Sequence, residues 1–404
     1  MTQLRDVQAV VLGGDIGAYS IARAFSEVTR HRPIVISAFG GGVVRHSTIA
    51  DLVVAPDMED LDALHARLLV LDRQVEAGHV IAVASADWNV EALLALRDRL
   101  PERWIVPYPD AATVHRATDK ASFSQLCEDL GIAHPASRVR APKEPVPIEG
   151  LTYPVVAKAC DTSAYHAVEF AGKKKVFTFE TPSEAHEMLS RADAAGYRGE
   201  FLIQDYVPGP DSQMRVLNVY CQKGGRVVFA GLGRVLLEEH TPSAIGNSAA
   251  IITEADQDII EQASRIVAEL GWHGFACFDV KVDPRTGEAK ILELNARLGR
   301  AHHYLTAVGA NPAEYYLRDW VEGDQNIESH VVERESLYTV VPISLLLAYT
   351  PGERSRILRL VARGRVASPL FNRRERHPKR WAYALAAYAN QFRKFARHHP
   401  PRRT

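Results

Sequence analysis

The chain has 404 residues, 47% hydrophobic and 24% charged, which suits two or three folded units with full cores and excludes a disordered or low-complexity polypeptide. Its formal net charge of -1 hides a division: residues 354–404 hold 15 Lys or Arg against one acid, Glu375, while residues 1–353 hold 33 bases against 48 acids. Four dispersed cysteines, Cys127, Cys160, Cys221 and Cys277, make no CxxC pair, which argues against a zinc site or disulfide framework and suits reduced thiols.

The N-terminal apolar run is too short for a signal peptide, and the stretch Thr339–Thr350 is too short to span a bilayer and contains Pro342. A cytoplasmic protein is therefore expected. Its basic end reads either as a solvated terminus or as a contact for an anionic membrane face, a phosphorylated partner or nucleic acid.

In chain order, VQAVVL (7–12) runs into Gly13, Gly14 and Gly17 and then a helical pattern, which predicts strand, tight turn and helix. PIVISAF and HVIAVAS predict two more strands, followed by Gly40–Gly42 and Ala86–Asp87. Alternating strands and helices give a parallel α/β unit, placing Gly13–Gly17, Gly40–Gly42 and Ala84–Asn89 along its carboxyl edge. The loose glycine turn reads as a tight turn without a nucleotide.

After Tyr108 the pattern changes. Thr118 is expected to cap a helix with Asp119 and Lys120 in its first turn, ended by Gly131. The segments YPVVAKA, HAVEFAG, KKVFTFE, FLIQDYV, MRVLNVYC and RVVFAGLGRV read as strands. A helix over 254–270 precedes FACFDVKVD, a turn at Pro284–Gly287, and AKILELNA. The expected units are a parallel α/β domain at 1–115, an antiparallel-rich α+β domain at 116–325 (divided into 116–205 and 206–325), and an extension at 326–404.

The sharpest chemical signal is the hairpin over 275–297. Strand side chains alternate faces, so Glu293, Asn295 and Arg297 share one face and Asp279 sits opposite Glu293 within about one residue. Two carboxylates and an amide oxygen form a hard oxygen site suited to Mg²⁺. An arginine one step further can hold a phosphate or a developing oxyanion. Lys120 and Lys158 are point charges suited to phosphates. In FLIQDYVPGPDSQMRV a strand edge can read an adenine, and Asp211 after the break can take ribose hydroxyls.

In order and spacing, Asp119–Lys120, Lys158, Gln204–Val207, Asp211, Asp279 and Glu293-x-Asn295-x-Arg297 resemble the ATP-grasp ligases over residues 116–300. The resemblance implies a two-subdomain ATP-grasp fold behind a parallel α/β domain. It implies Lys120 and Lys158 on ATP phosphates, and Gln204, Asp205, Tyr206 and Val207 around adenine. Asp211 would lie on ribose, and Asp279, Glu293 and Asn295 on two Mg²⁺ ions. Arg297 would stabilise an acyl phosphate and the tetrahedral state after it. Across most of the chain, LGGDIGAYSIARAF, FLIQDYVPGPDSQMRVLNVY, LLEEHTPSAIGN and LELNARLGRA look like the bacterial D-aspartate ligases of peptidoglycan synthesis. That family implies an amino acid and an amine-bearing peptide precursor as substrates, and gives the basic tail a use beside the inner membrane face.

Two departures stand out. The stretch after Lys158, ACDTSAY, has no glycine, which leaves phosphates to be covered by the Thr162 and Ser163 hydroxyls or from elsewhere in the chain. Cys277 stands where D-alanine–D-alanine ligases carry an arginine. Arg215, Arg234 and Arg300 are candidate holders of substrate carboxylates or structural ion-pair partners, and Asp15 a candidate for an amino group. His240, His302 and His303 read as bases, substrate contacts or structural residues, and Lys173–Lys175 as a solvated hairpin end. Competing readings are a ligase for another amino acid or dipeptide, and a regulatory protein that binds ATP without ligation. The tail aromatics Trp381, Tyr383, Tyr388 and Phe392 suit an amphipathic helix rather than a stacking platform, so no nucleic acid is expected.

Overall fold

The computed structural model describes residues 4–160, 164–165, 167–242 and 244–400. The Thr162 and Ser163 hydroxyls considered above lie outside the described residues.

The first sheet is wholly parallel, in the order β3-β2-β1-β4-β5: β1 Val7–Leu12, β2 Ile34–Ser37, β3 Asp51–Val54, β4 His79–Ala84 and β5 Trp104–Ile105. Helices α1 (Ile16–Ser26), α2 (Leu61–Asp72) and α3 (Asp87–Leu96) make its connections. Gly13 adopts φ +128°, and a Cβ there would lie 2.1 Å from Ser85 Oγ; one on Gly14 would lie 2.2 Å from Ser37 Oγ. The glycines thus let the turn after β1 nest against the ends of β2 and β4. That close approach packs three strand ends into one carboxyl edge.

Helices α4 (Ala111–Thr118) and α5 (Lys120–Asp129) follow. The expected cap moves by one residue: Asp119, not Thr118, accepts the Ser122 N–H at 2.9 Å, because Thr118 is spent as the last residue of α4 with its hydroxyl on Val114 O. The second sheet has the order β6-β9-β7-β8, from β6 Ser137–Arg140, β7 Val155–Ala159, β8 Val176–Phe179 and β9 Phe201–Asp205. It buries its own core with α6 (Pro182–Ala194). The segment HAVEFAG is not a strand where described: residues 167–172 are turn and coil. Val168 and Phe170 pack against the core of this sheet, so their alternation records burial rather than strand pairing.

The third sheet is mainly antiparallel, in the order β14-β13-β10-β11-β12-β16-β17, with β15 beside β11. Its strands are β10 Met214–Gln222, β11 Arg226–Glu238, β12 Ser248–Glu254, β13 Gly274–Val282, β14 Ala289–Asn295, β15 His330–Val331, β16 Leu337–Thr339 and β17 Val366–Ala367. Helix α7 (Gln257–Glu269) covers one face, and the short helices α8 (His303–Ala307) and α9 (Pro312–Tyr316) follow β14. The parallel sheet and this one share continuous apolar cores, with Phe25 of α1 stacked on Tyr316 of α9 at 6.2 Å. The C-terminal stretch thus completes this sheet, with β15, β16 and β17.

Helices α10 (Ile343–Tyr349), α11 (Arg354–Ala362) and α12 (Pro378–His398) close the chain. The apolar stripe of α12 buries Ala384 and Phe395 against the body. Glu375, the one acid of the basic end, anchors it. Its carboxylate is 4% exposed and accepts from Tyr19 Oη (2.8 Å), Ser47 Oγ (2.6 Å) and Thr48 N (2.6 Å). Burial alone would raise its pKa, but these donors hold it below the ordinary glutamate value. Arg380 lies over the Tyr19 ring at 4.7 Å.

Glu375→Ala should lower unfolding free energy by about 2 kcal/mol at neutral pH, by stranding buried donors. A folded-state pKa below the unfolded one contributes stability above the unfolded pKa, and that stability is lost as pH falls through the folded pKa. Urea denaturation of wild type and Glu375→Gln should therefore converge in acid. A gap that stays constant with pH would refute the anchoring role.

Candidate functional site

The centre of the site is the β13–β14 hairpin. Asp279 is the direct cross-strand partner of Glu293, and Cys277 of Asn295; the register shifts between Asp279 and Val280, leaving Leu292 unpaired. The two carboxylates are hydrogen-bonded to each other. Burial first, then the charge of Glu293 and the bond to it, push Asp279 up to about 8. For Glu293 the same burial is outweighed by Lys158, the Asp279 hydrogen bond, Lys120 and Lys175, and its pKa falls. Two facing carboxylates thus pull in opposite directions on titration, a like-charge pair that a divalent cation would relieve.

Asn295 Nδ2 lies 3.4 Å from Asp279 Oδ2. Among the described residues no three His, Cys, Asp or Glu side chains converge, and the Asn295 amide turns Nδ2 to Asp279 and Oδ1 to Arg297 Nη2. Two carboxylates and an amide fit Mg²⁺, which accepts oxygen ligands and keeps several waters.

Lysines reach this hairpin from the second sheet. Lys158, on β7, places Nζ 4.0 Å from Glu293 Oε2. Lys120, the first residue of α5, lies with Nζ 3.4 Å from Ala159 O at the end of the same strand. Lys175 acts on Glu293 as well. Lys174 and Lys175 are exposed, so Lys175 acts from the solvated end of the run through its charge alone.

The expected adenine strand requires a correction. β9 lies between β6 and β7, so Gln204 and Asp205 sit inside the ladder and present no free strand edge. The Gln204 amide is buried on Ser137 Oγ at 3.0 Å, and Asp205 Oδ1 accepts Thr152 N–H at 2.7 Å. Only Tyr206 and Val207 continue past the sheet. Lys281 Nζ lies 5.4 Å from the Tyr206 ring centroid. Asp211 Oδ2 accepts the Glu238 N–H at 2.9 Å and pairs with His240 Nε2 at 3.2 Å. Although burial opposes it, these partners hold Asp211 below the ordinary aspartate range.

Sequence reasoning missed Glu238 and Lys281 in this corner. Burial, then the charge of Asp211, pushes Glu238 up to about 7. Burial likewise lowers Lys281, against the pull of Glu238 and Asp211. Strand alternation could have found Lys281, two residues from Asp279. Glu238 had no such signal.

Arg297 follows β14 and crosses to the parallel sheet, where Nη2 meets Asp87 Oδ2 at 2.7 Å and also lies 3.3 Å from Asn295 Oδ1. Asp87 opens α3 at the carboxyl edge. Arg300 Nε lies 3.3 Å from Asp15 Oδ2, and its Nη1 3.3 Å from Glu239 Oε1. Asp15 also caps α1 through Ala18 N–H at 2.9 Å.

Arg215 does not join this group. Val216 is the cross-strand partner of Asp279, so its neighbour Arg215 points to the opposite face. There Arg215 and Arg234 both pair with Glu254, and Arg234 also meets Glu353 at 2.8 Å. His302 and His303 are buried, and burial lowers both pKa values, that of His302 to about 4. His302 Nδ1 lies 2.9 Å from Gly299 O, whereas His240 belongs to the Asp211 corner.

No protein-family model matches the chain. It is 29% identical to a D-aspartate ligase from Enterococcus faecium (strain Aus0004) over 405 residues, 96% of each chain. Among solved structures, it is similar to N5-carboxyaminoimidazole synthetase from Staphylococcus aureus complexed with ADP, with TM-score 0.59, 14% identity and coverage of 83% of this chain and 82% of that one. L-amino acid ligase from Bacillus licheniformis gives TM-score 0.55 at 15% identity, covering 78% and 74%. Phosphoribosylamine–glycine ligase from Thermotoga maritima gives 0.55 at 17%, covering 82% and 78%. With its paired carboxylates, converging lysines and three-sheet framework, the chain has the ATP-grasp fold and is similar along its length to a D-aspartate ligase.

Proposed function

We propose that the chain activates the β-carboxylate of D-aspartate with ATP and joins it to the side-chain amine of the stem-peptide lysine in a peptidoglycan precursor. The observation that carries the substrate assignment is the likeness to a D-aspartate ligase across 96% of both chains. On this reading residues 1–115 form the substrate domain, 116–205 and 206–325 the two ATP-grasp subdomains, and 326–404 the extension.

The carboxylate oxygen attacks the γ-phosphorus, ADP leaves, and an acyl phosphate forms. The amine nitrogen, having lost its proton, attacks the acyl carbon, and inorganic phosphate leaves. Lys120 and Lys158 neutralise phosphate oxygens. Two Mg²⁺ ions, held by Asp279, Glu293 and Asn295, would supply further charge neutralisation for the transferred group. Tyr206 and Val207 flank adenine, with the backbone rather than the Gln204 and Asp205 side chains toward it, and Asp211 takes the ribose. Arg297, fixed by Asp87, faces the negative charge that develops on the acyl oxygen. Arg300 and Asp15, at the mouth of the parallel sheet, receive the α-carboxylate and α-amino group. Arg215 is left to the structural network with Glu254.

ADP release and product mass are the direct test. With Mg-ATP, D-aspartate and a lysine-containing UDP-MurNAc-pentapeptide, we expect ADP and a peptide heavier by one aspartyl residue. Turnover with a different amino acid and none with D-aspartate would discard the substrate while keeping the chemistry; ATP binding with no turnover on any acid would favour the regulatory reading.

Arg297→Ala should lower kcat by about 10²-fold with little change in KM for ATP, as for loss of one transition-state donor. An unchanged kcat would remove the oxyanion role.

The solvent face of α12 exposes Tyr383, Leu385 and Phe392 among Lys379, Arg393 and Arg397. No helix of the described residues is long and apolar enough to cross a membrane. This face supports peripheral contact with an anionic inner membrane surface, each base there contributing about 1 kcal/mol. The full chain should sediment with phosphatidylglycerol vesicles at low salt and not with phosphatidylcholine vesicles. Equal recovery with both lipids would exclude the contact.

A further inference from the structure

The stacking of His399 on His240 lies outside everything assigned above. The end of β11 sets Glu238, Glu239 and His240 in succession. Each of the last two faces a different part of the site, and each is gripped from behind by the end of α12. The His240 ring lies parallel to the His399 ring, with centroids 3.7 Å apart and planes 7° apart; Phe395 meets it edge-on at 6.2 Å. His399 is itself fixed: Tyr349 stacks on it at 5.4 Å, and the Tyr349 hydroxyl donates to His399 O at 2.6 Å. On the far side, His240 Nε2 points at Asp211 Oδ2, 3.2 Å away.

The neighbouring residue repeats this pattern with charge. Glu239 is 5% exposed, with Oε2 3.8 Å from Lys394 Nζ of α12 and Oε1 3.3 Å from Arg300 Nη1. Arg300 in turn meets Asp15 at 3.3 Å. One C-terminal turn of helix therefore touches the partner of the ribose aspartate and the partner of the amino-acid arginine. An apolar residue at 240 could fill the same space against His399, but could not direct an N–H at the Asp211 carboxylate.

We propose that the end of α12 is a positioning strap for both substrates: His399 and Phe395 hold the His240 ring so that it fixes Asp211 for the nucleotide, and Lys394 holds Glu239 so that it fixes Arg300 for the amino acid. The inference rests on the ligase reading above. His240, His399, Glu239 and Lys394 are positioning residues, since each acts through another side chain.

The test uses full-length protein, Mg²⁺ and the non-hydrolysable analogue AMP-PNP, with affinity measured by calorimetry and kinetics by ADP release. His240→Leu should weaken AMP-PNP binding about tenfold, while His240→Gln, which keeps a donor, should retain most of it. His399→Ala should weaken binding about threefold, through loss of the stack. Lys394→Met should raise KM for the amino acid and leave KM for ATP unchanged. Thermal melting checks that each variant folds. If His240→Leu fails to fold, His399→Ala decides alone: AMP-PNP affinity equal to wild type overturns the strap. Equal affinity in a folded His240→Leu does the same, as does an unchanged amino-acid KM in Lys394→Met for the second half. A wild-type chain that binds no AMP-PNP overturns the ligase reading and the strap together, so the two failures are separable.

Discussion

Everything at the centre of this molecule depends on two carboxylates facing each other across a pair of strands. Asp279 and Glu293 are direct cross-strand partners on half-buried backbone, and like charges so placed repel strongly. Burial and that repulsion push Asp279 up to about 8, while Lys158 and the other nearby cations lower Glu293. The same repulsion makes the pair receptive to a small divalent cation. It also requires positive neighbours, and those come from elsewhere: Lys158 from β7, and Lys120 from the start of α5.

This requirement explains why three sheets meet here. The second sheet brings Lys158, beside Lys120 from α5. The third supplies the hairpin. The first contributes its carboxyl edge, where Asp87 receives Arg297 and Asp15 receives Arg300. Parallel strands end together at such an edge, and the glycines after β1 keep the Asp15 turn close to it. The first and third sheets share apolar cores, whereas the second has its own. A separately cored sheet carrying Lys158 suits a part that adjusts while the rest stays rigid.

Much of this was legible in the sequence because it rests on period two. Alternation placed Asp279 opposite Glu293 and aligned Asn295 with it, and strand–helix alternation gave the parallel sheet and its edge. What alternation cannot show is strand order. FLIQDYV is visible as a strand, but its place between β6 and β7 is not, and that place withdraws the expected free edge at Gln204 and Asp205. Nor does alternation separate pairing from burial, which is why Val168 and Phe170 looked like a strand. Arg215 failed for a simpler reason: one residue of offset from Val216 turns it to the other face. The edge that holds Asp87 was legible, but its partner Arg297, 210 residues on, was not, and Glu239 gave no local signal for Arg300, 61 residues on.

The charge division of the sequence has a structural counterpart at the C-terminus. A segment with many bases and one acid would be expected to stay in solvent, held only by weak surface pairs. Here the single acid is the anchor: Glu375 is buried against Tyr19, Ser47 and Thr48 of the first domain, with donors enough to keep it charged. It fixes one end of that segment, and neighbouring arginines come inward with it: Arg374 donates to Ser26 O at 2.9 Å, and Arg380, 1% exposed, lies on the Tyr19 ring and donates to Leu370 O at 3.1 Å. The other end of α12 is fixed by aromatic stacking and by Lys394 on Glu239. The helix is thereby pinned at both ends, and Lys379, Arg393 and Arg397 are left exposed.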